Sequence, residues 1–160
     1  MYANLHAKAQ AAVEYFTRRS EMIALAESCT GGLICSLITG VAGASAVLER
    51  GLVTYSNQAK QDLLGVPAKI LETHGAVSAQ CAAAMVVGLM AACPAAEMGL
   101  AITGIAGPAG GSAAKPVGLV YISALRRGAE PITTQHFFAG DRIAIQHLAA
   151  DAALNALLLG

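Results

Sequence analysis

The chain has 160 residues, enough for one domain around one core. Its 56% hydrophobic and 12% charged residues exclude a disordered chain, and a formal net charge of zero without a long basic run argues against a nucleic-acid binder. The longest uncharged apolar helical stretch, residues 81–93, is too short to span a bilayer, and residues 1–10 hold no apolar signal core, so a soluble cytoplasmic protein away from membranes is expected.

Leu5, Ala9, Val13 and Phe16 recur at helical spacing and predict an amphipathic helix over residues 3–19. The short apolar run 22–26 suits a buried strand. Residues 28–32 supply turn and capping chemistry, a helix follows over 33–38, and 40–45 form a glycine-rich bend. β-Forming residues at 52–55 predict a second strand. A short helix over 57–64 is closed by Gly65 and Pro67, and another short helix follows Pro67. Ser78 can cap the next helix, which carries Ala82, Met85, Val86, Leu89 and Cys93 on one face. A third strand is expected over 98–103, followed by a long glycine-rich loop over 104–115. Strands over 117–125 and 132–138, joined by turn residues 128–131, predict a hairpin. Asp141 caps a last helix with Ile145, Leu148, Ala152, Ala156 and Leu159 along one face. Helices before, between and after strands imply a layered α/β domain with a mixed sheet, and nothing divides residues 1–160 into two domains.

Three segments concentrate small and reactive residues: 26–32 (AESCTGG), 54–60 (TYSNQAK) and 103–108 (TGIAGP) with its glycine extension. Each follows an expected strand, and in open α/β sheets ligands gather beyond the carboxyl ends of parallel strands. If the three strands are parallel neighbours, the loops meet at one crevice. Ser28 stands at a strand-to-helix junction, close to free N–H groups that can stabilise an oxyanion. The plainer role, and the better supported one from this segment alone, is that Ser28 or Thr30 caps the helix. Glu27 reads as a supporting residue.

A serine nucleophile needs a base. No histidine falls in the three segments: His6, His74, His136 and His147 all lie elsewhere. Lys60 follows Tyr55 by just over one helical turn, and a desolvated lysine loses proton affinity and can act as a base. A Ser28–Lys60 dyad is the sharp expectation, set against the common fate of lysine on a helix surface. Ser28 sits in no GxSxG or SxxK motif, since Gly31 stands three residues after it, and there is no GxxxxGK[ST] phosphate loop. The glycines of the 104–111 loop allow close approach to a ligand, and Lys115, Arg50 and Arg142 are candidate phosphate partners. Cys29, Cys35, Cys81 and Cys93 show no CxxC spacing or paired histidine, so they read as reduced thiols and no zinc site is expected.

Together these segments resemble the CinA C-terminal family, which includes standalone nicotinamide-nucleotide amidases. The matching stretches are AESCTGG at 26–32, ERGLVTYSNQAK at 49–60, HGAVS at 74–78, ITGIAGPAGG at 102–111, KPVGLVY at 115–121 and FAGDR at 138–142. The resemblance implies a single-domain α/β/α sandwich with a mixed, mainly parallel sheet. It implies hydrolysis of nicotinamide mononucleotide to nicotinate mononucleotide and ammonia, without metal or cofactor. By motif match Ser28 is the nucleophile and Lys60 its base, with Tyr55 and Thr103 lining the site and helping to orient substrate or dyad. Cys29, Thr30, Gly31 and Gly32 are expected to supply oxyanion donors. Arg142, the Gly43–Ser45 bend and the Gly104–Gly107 loop are expected near the nucleotide. The chain has no room for the extra N-terminal domain of larger CinA proteins and resembles the standalone form. One departure is the stretch Gly110 to Lys115, which lacks the acidic residues expected before the lysine. A catalytically silent nucleotide-binding or protein-interaction module is the alternative function. The alanine-rich helices leave apolar faces that a second copy can cover, so a dimer or trimer is expected.

Overall fold

Alternation along two neighbouring strands sets the layers. In a computed structural model that describes residues 2–159, β1 (Met22–Glu27) sends Ile23 and Leu25 into one core and Ala24 and Ala26 into another. Met1 and Gly160, the ends of the expected domain, lie outside the described residues. β3 (Ala96–Gly104) repeats the pattern, with Met98, Leu100 and Ile102 on the first side and Ala96 and Ala101 on the second. Bulky residues therefore face α1 (Tyr2–Arg19), α2 (Leu33–Thr39) and α6 (Arg142–Leu159). Small ones face α5 (Ala79–Ala92), beside which lie α3 (Asn57–Leu64) and α4 (Ala68–His74). The small residues let α5 lie close to the sheet: a Cβ on Gly99 would stand 2.7 Å from the Met90 sulfur.

The sheet order is β2-β1-β3-β4-β5, where β2 is Leu48–Val53, β4 Leu119–Arg126 and β5 Ile132–Phe137. β1, β2 and β3 are adjacent and parallel, while β4 runs antiparallel to β3 and forms the expected hairpin with β5. The expected α/β/α sandwich with a mixed sheet is thus the architecture. Among the described residues no helix is long and apolar enough to cross a membrane.

Two expectations need correction. The second strand is β2, four residues earlier than its expected start, and Thr54 and Tyr55 belong to the loop after it. β2 is an edge strand carrying Glu49, Arg50 and Gly51, so charge rather than alternation marks it. Gly51 is there because a Cβ would meet the Cys35 sulfur at 2.4 Å. On α6 the buried face is Ile145, Ala149, Ala150, Ala153, Leu154 and Leu157, and Leu159 is 88% exposed. The helix is apolar nearly all round, so several stripes satisfy helical spacing, and packing against α1 and the sheet selects one.

Candidate active site

The chain leaves β1 toward β2 by way of α2 and leaves β3 toward β4, so the carboxyl ends of β1 and β3 border a crevice between diverging connections. The loop after β2 joins them on the other side of β1. The three reactive segments therefore do meet, around a cleft of about 260 Å³. Ser28, Cys29, Tyr55, Asn57, Lys60, Thr103, the loop 104–107 and Arg142 all line it.

Ser28 directly follows β1, and its N–H donates to the Ile102 carbonyl, extending the pairing with β3 by one residue. Lys60 lies on α3, which Ser56 caps by accepting the Ala59 N–H. From there the lysine runs inward and is only 1% exposed. Its Nζ stands 3.0 Å from Ser28 Oγ and donates to the Thr54 carbonyl at 2.9 Å and to the Tyr55 carbonyl at 3.4 Å. Among the described residues no carboxylate pairs with it. Burial holds the Lys60 amine below its ordinary value, with only the neighbouring thiols of Cys81 and Cys29 acting the other way. A neutral amine has two N–H donors and one lone pair. In that form the two carbonyls take the donors and the lone pair is left for the serine hydroxyl, whereas as an ammonium the same nitrogen donates to Ser28 Oγ.

Neither Ser28 nor Thr30 caps α2. Glu27 does so from the end of β1: one carboxylate oxygen accepts the N–H groups of Gly32 and Ile34, and the other accepts that of Cys35. The turn before α2 is passed by Gly31 and Gly32 at φ of 61° and 98°, a region suited to glycine. This revises the expected oxyanion donors. The Gly32 N–H belongs to Glu27, and the Gly31 N–H donates to the Ser28 carbonyl. Gly31, Gly32 and Thr30 do not line the cleft, although the N–H groups of Cys29 and Thr30 have no acceptor among the described residues.

Gly43 and Ser45 are a second correction. They precede β2, so they lie at the amino end of a parallel strand, at the opposite end of the sheet from the cleft. Arg50 is likewise remote, on β2 with Glu49 and the Ala92 carbonyl. Arg142, at the start of α6 and capped by Asp141 on the Ala144 N–H, does reach the site. It donates to the Gly107 carbonyl at 2.7 Å and to the Tyr55 hydroxyl at 2.8 Å, tying three elements together. Thr103, at the end of β3, donates to the Ala76 carbonyl at 2.9 Å and anchors the turn before α5. Lys115 does the same from the long loop, through the His74 carbonyl. Sequence reasoning missed Asn57 as a lining residue and Gln146, whose amide donates to the Cys29 carbonyl at 2.9 Å. Gln146 lies four residues after Arg142 on a helix, so the same face was available as a signal.

The lining residues include no Asp, Glu or His and two basic side chains, Lys60 and Arg142. Such a cleft suits a small anionic or neutral polar ligand presented to Ser28.

Comparison with known proteins fits this arrangement. A family model described as the CinA C-terminal domain matches residues 5–159. A CinA-like protein from Anaeromyxobacter sp. (strain Fw109-5) is 50% identical over 141 residues, which is 88% of this chain and 34% of that protein. A CinA-like protein from Syntrophotalea carbinolica is 52% identical over 133 residues, 83% of this chain and 32% of its own. The chain thus spans about a third of the length of the curated relatives it matches. Among solved structures, the competence/damage inducible protein CihA from Agrobacterium tumefaciens is 41% identical with a TM-score of 0.95, covering 98% of this chain and 94% of that one. The competence damage-inducible protein A (ComA) from Klebsiella pneumoniae is 34% identical with a TM-score of 0.91, covering 96% and 94%. With a family model along nearly its whole length and close relatives in sequence and fold, the chain belongs to the CinA C-terminal domain family.

Proposed function

We propose that this chain is a nicotinamide-nucleotide amidase that converts nicotinamide mononucleotide to nicotinate mononucleotide and ammonia through an acyl-enzyme on Ser28. The observation that carries the reading is a buried lysine without a carboxylate partner, 3.0 Å from a serine hydroxyl at the mouth of a cleft. In the first step Ser28 Oγ attacks the carboxamide carbon, and neutral Lys60 takes its proton. Lys60 then passes that proton to the amide nitrogen, the C–N bond breaks and ammonia leaves. Water attacks the resulting ester and gives a proton to Lys60. The C–O bond to Ser28 breaks, Lys60 returns the proton to Oγ, and the product departs as the acid, which loses its proton to water to give the carboxylate. Arg142 is the cleft's exposed cation and grips the anionic end of the nucleotide, while Tyr55 and Thr103 hold the walls in place.

Ser28, rather than Cys29 beside it, is the nucleophile. Burial pushes the Cys29 thiol up to about 12, which leaves almost no thiolate near neutral pH. Ammonia release from nicotinamide mononucleotide, compared with nicotinamide riboside and glutamine, tests the reading. Rapid release from the nucleotide alone is expected, and Ser28→Ala and Lys60→Ala should each nearly abolish it while the protein stays folded. Full activity in folded Ser28→Ala sinks the serine mechanism. Tight nucleotide binding without turnover in the unmodified protein replaces the amidase reading with a silent binding module.

A further inference from the structure

The turn that carries Ser28 has three carbonyls and two N–H groups to account for. The Ser28 carbonyl accepts the Gly31 N–H, and the Thr30 carbonyl accepts the Leu33 N–H. The Cys29 carbonyl has no backbone donor. It is held instead by the Gln146 side chain, from a helix 117 residues away in sequence. What remains are the N–H groups of Cys29 and Thr30, which directly follow the serine and have no acceptor among the described residues. With Glu27 holding the Gly32, Ile34 and Cys35 N–H groups, these two are the donors left to this turn for an oxyanion formed at Ser28.

The Cys29 carbonyl and the Thr30 N–H belong to one planar trans peptide unit and point in opposite directions. Holding the carbonyl toward α6 therefore turns the Thr30 N–H away from α6. We infer that Gln146 is a positioning residue for acyl transfer, fixing the Cys29–Thr30 peptide so that its N–H is aimed at the oxyanion. Arg142, one turn earlier on α6, grips the Gly107 carbonyl and the Tyr55 hydroxyl, so one helix face fixes both the oxyanion turn and the loops opposite it.

The inference rests on Ser28 being the nucleophile, so its test uses two reactions. One is nicotinamide mononucleotide hydrolysis. The other is covalent labelling of Ser28 by a small fluorophosphonate, which needs the oxyanion donors but no nucleotide. Gln146→Met keeps the side chain's length and removes its donor. It should slow both kcat and labelling about 10-fold or more, with KM changed by less than about twofold. Gln146→Lys restores a donor and should recover most of both rates. If Gln146→Met does not fold, Gln146→Glu, of the same shape with acceptor oxygens in place of the amide donor, is read in its place. Labelling of Gln146→Met at the unmodified rate overturns the inference, as does equal slowing in the Met and Lys variants, which marks a merely structural tie. If the unmodified protein is labelled at Ser28 and slowed by Gln146→Met but does not hydrolyse the nucleotide, the substrate assignment fails and the role of Gln146 stands. No labelling at Ser28 removes both.

Discussion

Replacing Lys60 with methionine separates what the lysine does for the reaction from what it does to the fold. The side chain is 1% exposed, and a methionine of similar length fills its place. The exchange removes three hydrogen bonds, to the carbonyls of Thr54 and Tyr55 and to the Ser28 hydroxyl, each worth about 1 kcal/mol. Above the ordinary lysine value of 10.5 the amine is neutral in both folded and unfolded chains, so this loss dominates and the variant is less stable by about 2–3 kcal/mol. Burial lowers the Lys60 value in the folded chain. Between that lowered value and 10.5 the unfolded chain therefore holds a proton that the folded chain does not, and the stability of the unmodified protein falls as pH falls. The variant has no such group. Its relative stability improves as pH falls through that window, by about 1.4 kcal/mol for each pH unit that Lys60 is lowered, and is constant below it. Other titrating groups are shared and cancel in the difference. Urea unfolding of both proteins from neutral pH to above 10.5 measures it. A difference that is flat with pH, or that moves against the variant as pH falls, refutes the argument that Lys60 is buried at a cost. In the same variant kcat/KM should fall about 10²–10⁴-fold, a loss of ~3–5 kcal/mol of transition-state stabilisation.

Glu27→Gln leaves one acceptor oxygen for three N–H groups and should destabilise the protein by about 1–3 kcal/mol in urea unfolding, with kcat reduced more than KM. Arg142→Ala should raise KM for the nucleotide about 10-fold or more while leaving KM for an uncharged ester substrate nearly unchanged in steady-state assays. Cys29→Ala should keep kcat within a few-fold, and iodoacetamide should leave Cys29 unmodified in the folded protein by mass spectrometry, since its thiol stands near 12. Gly88→Ala places a Cβ 1.7 Å from the Leu64 carbonyl, so α5 and the end of α3 must separate; a loss of about 1–3 kcal/mol in thermal or urea unfolding is expected, with kcat lowered because α3 carries Lys60.

The sequence was most legible where one physical signal acted alone. Leu5, Ala9, Val13 and Phe16 mark α1 because its other face is polar, and all four are buried as expected. The caps at Ser78 and Asp141 were readable because a side-chain acceptor at a helix start takes up a free N–H group. Signals overlapped at β2, where edge charges hid the strand, and on α6, where apolar residues surround the helix. At the site, Ser28 and Lys60 could be named from residue type and position, but their 3.0 Å separation depends on α3 crossing toward β1. Gly43 and Ser45 were misplaced because small residues near a motif look alike at either end of a strand. Gln146 was missed because a glutamine carries no mark of the carbonyl it will find 117 residues away.

Glu27 shows why these local choices act together. A buried lysine usually survives by pairing with a carboxylate, which favours its charged form and removes it as a base. Glu27 is the residue before Ser28 and the obvious counter-ion in the sequence. Both of its oxygens are instead committed to the start of α2, where they satisfy N–H groups that would otherwise be orphaned beneath the fold's surface. The same contacts stabilise the helix that follows the serine and keep the anion away from Lys60. With that carboxylate occupied, Thr54 and Tyr55 offer the lysine only neutral carbonyls, and its remaining position faces Ser28. The glutamate therefore acts on the dyad by what it is prevented from doing, and its removal should disturb the start of the helix that follows Ser28.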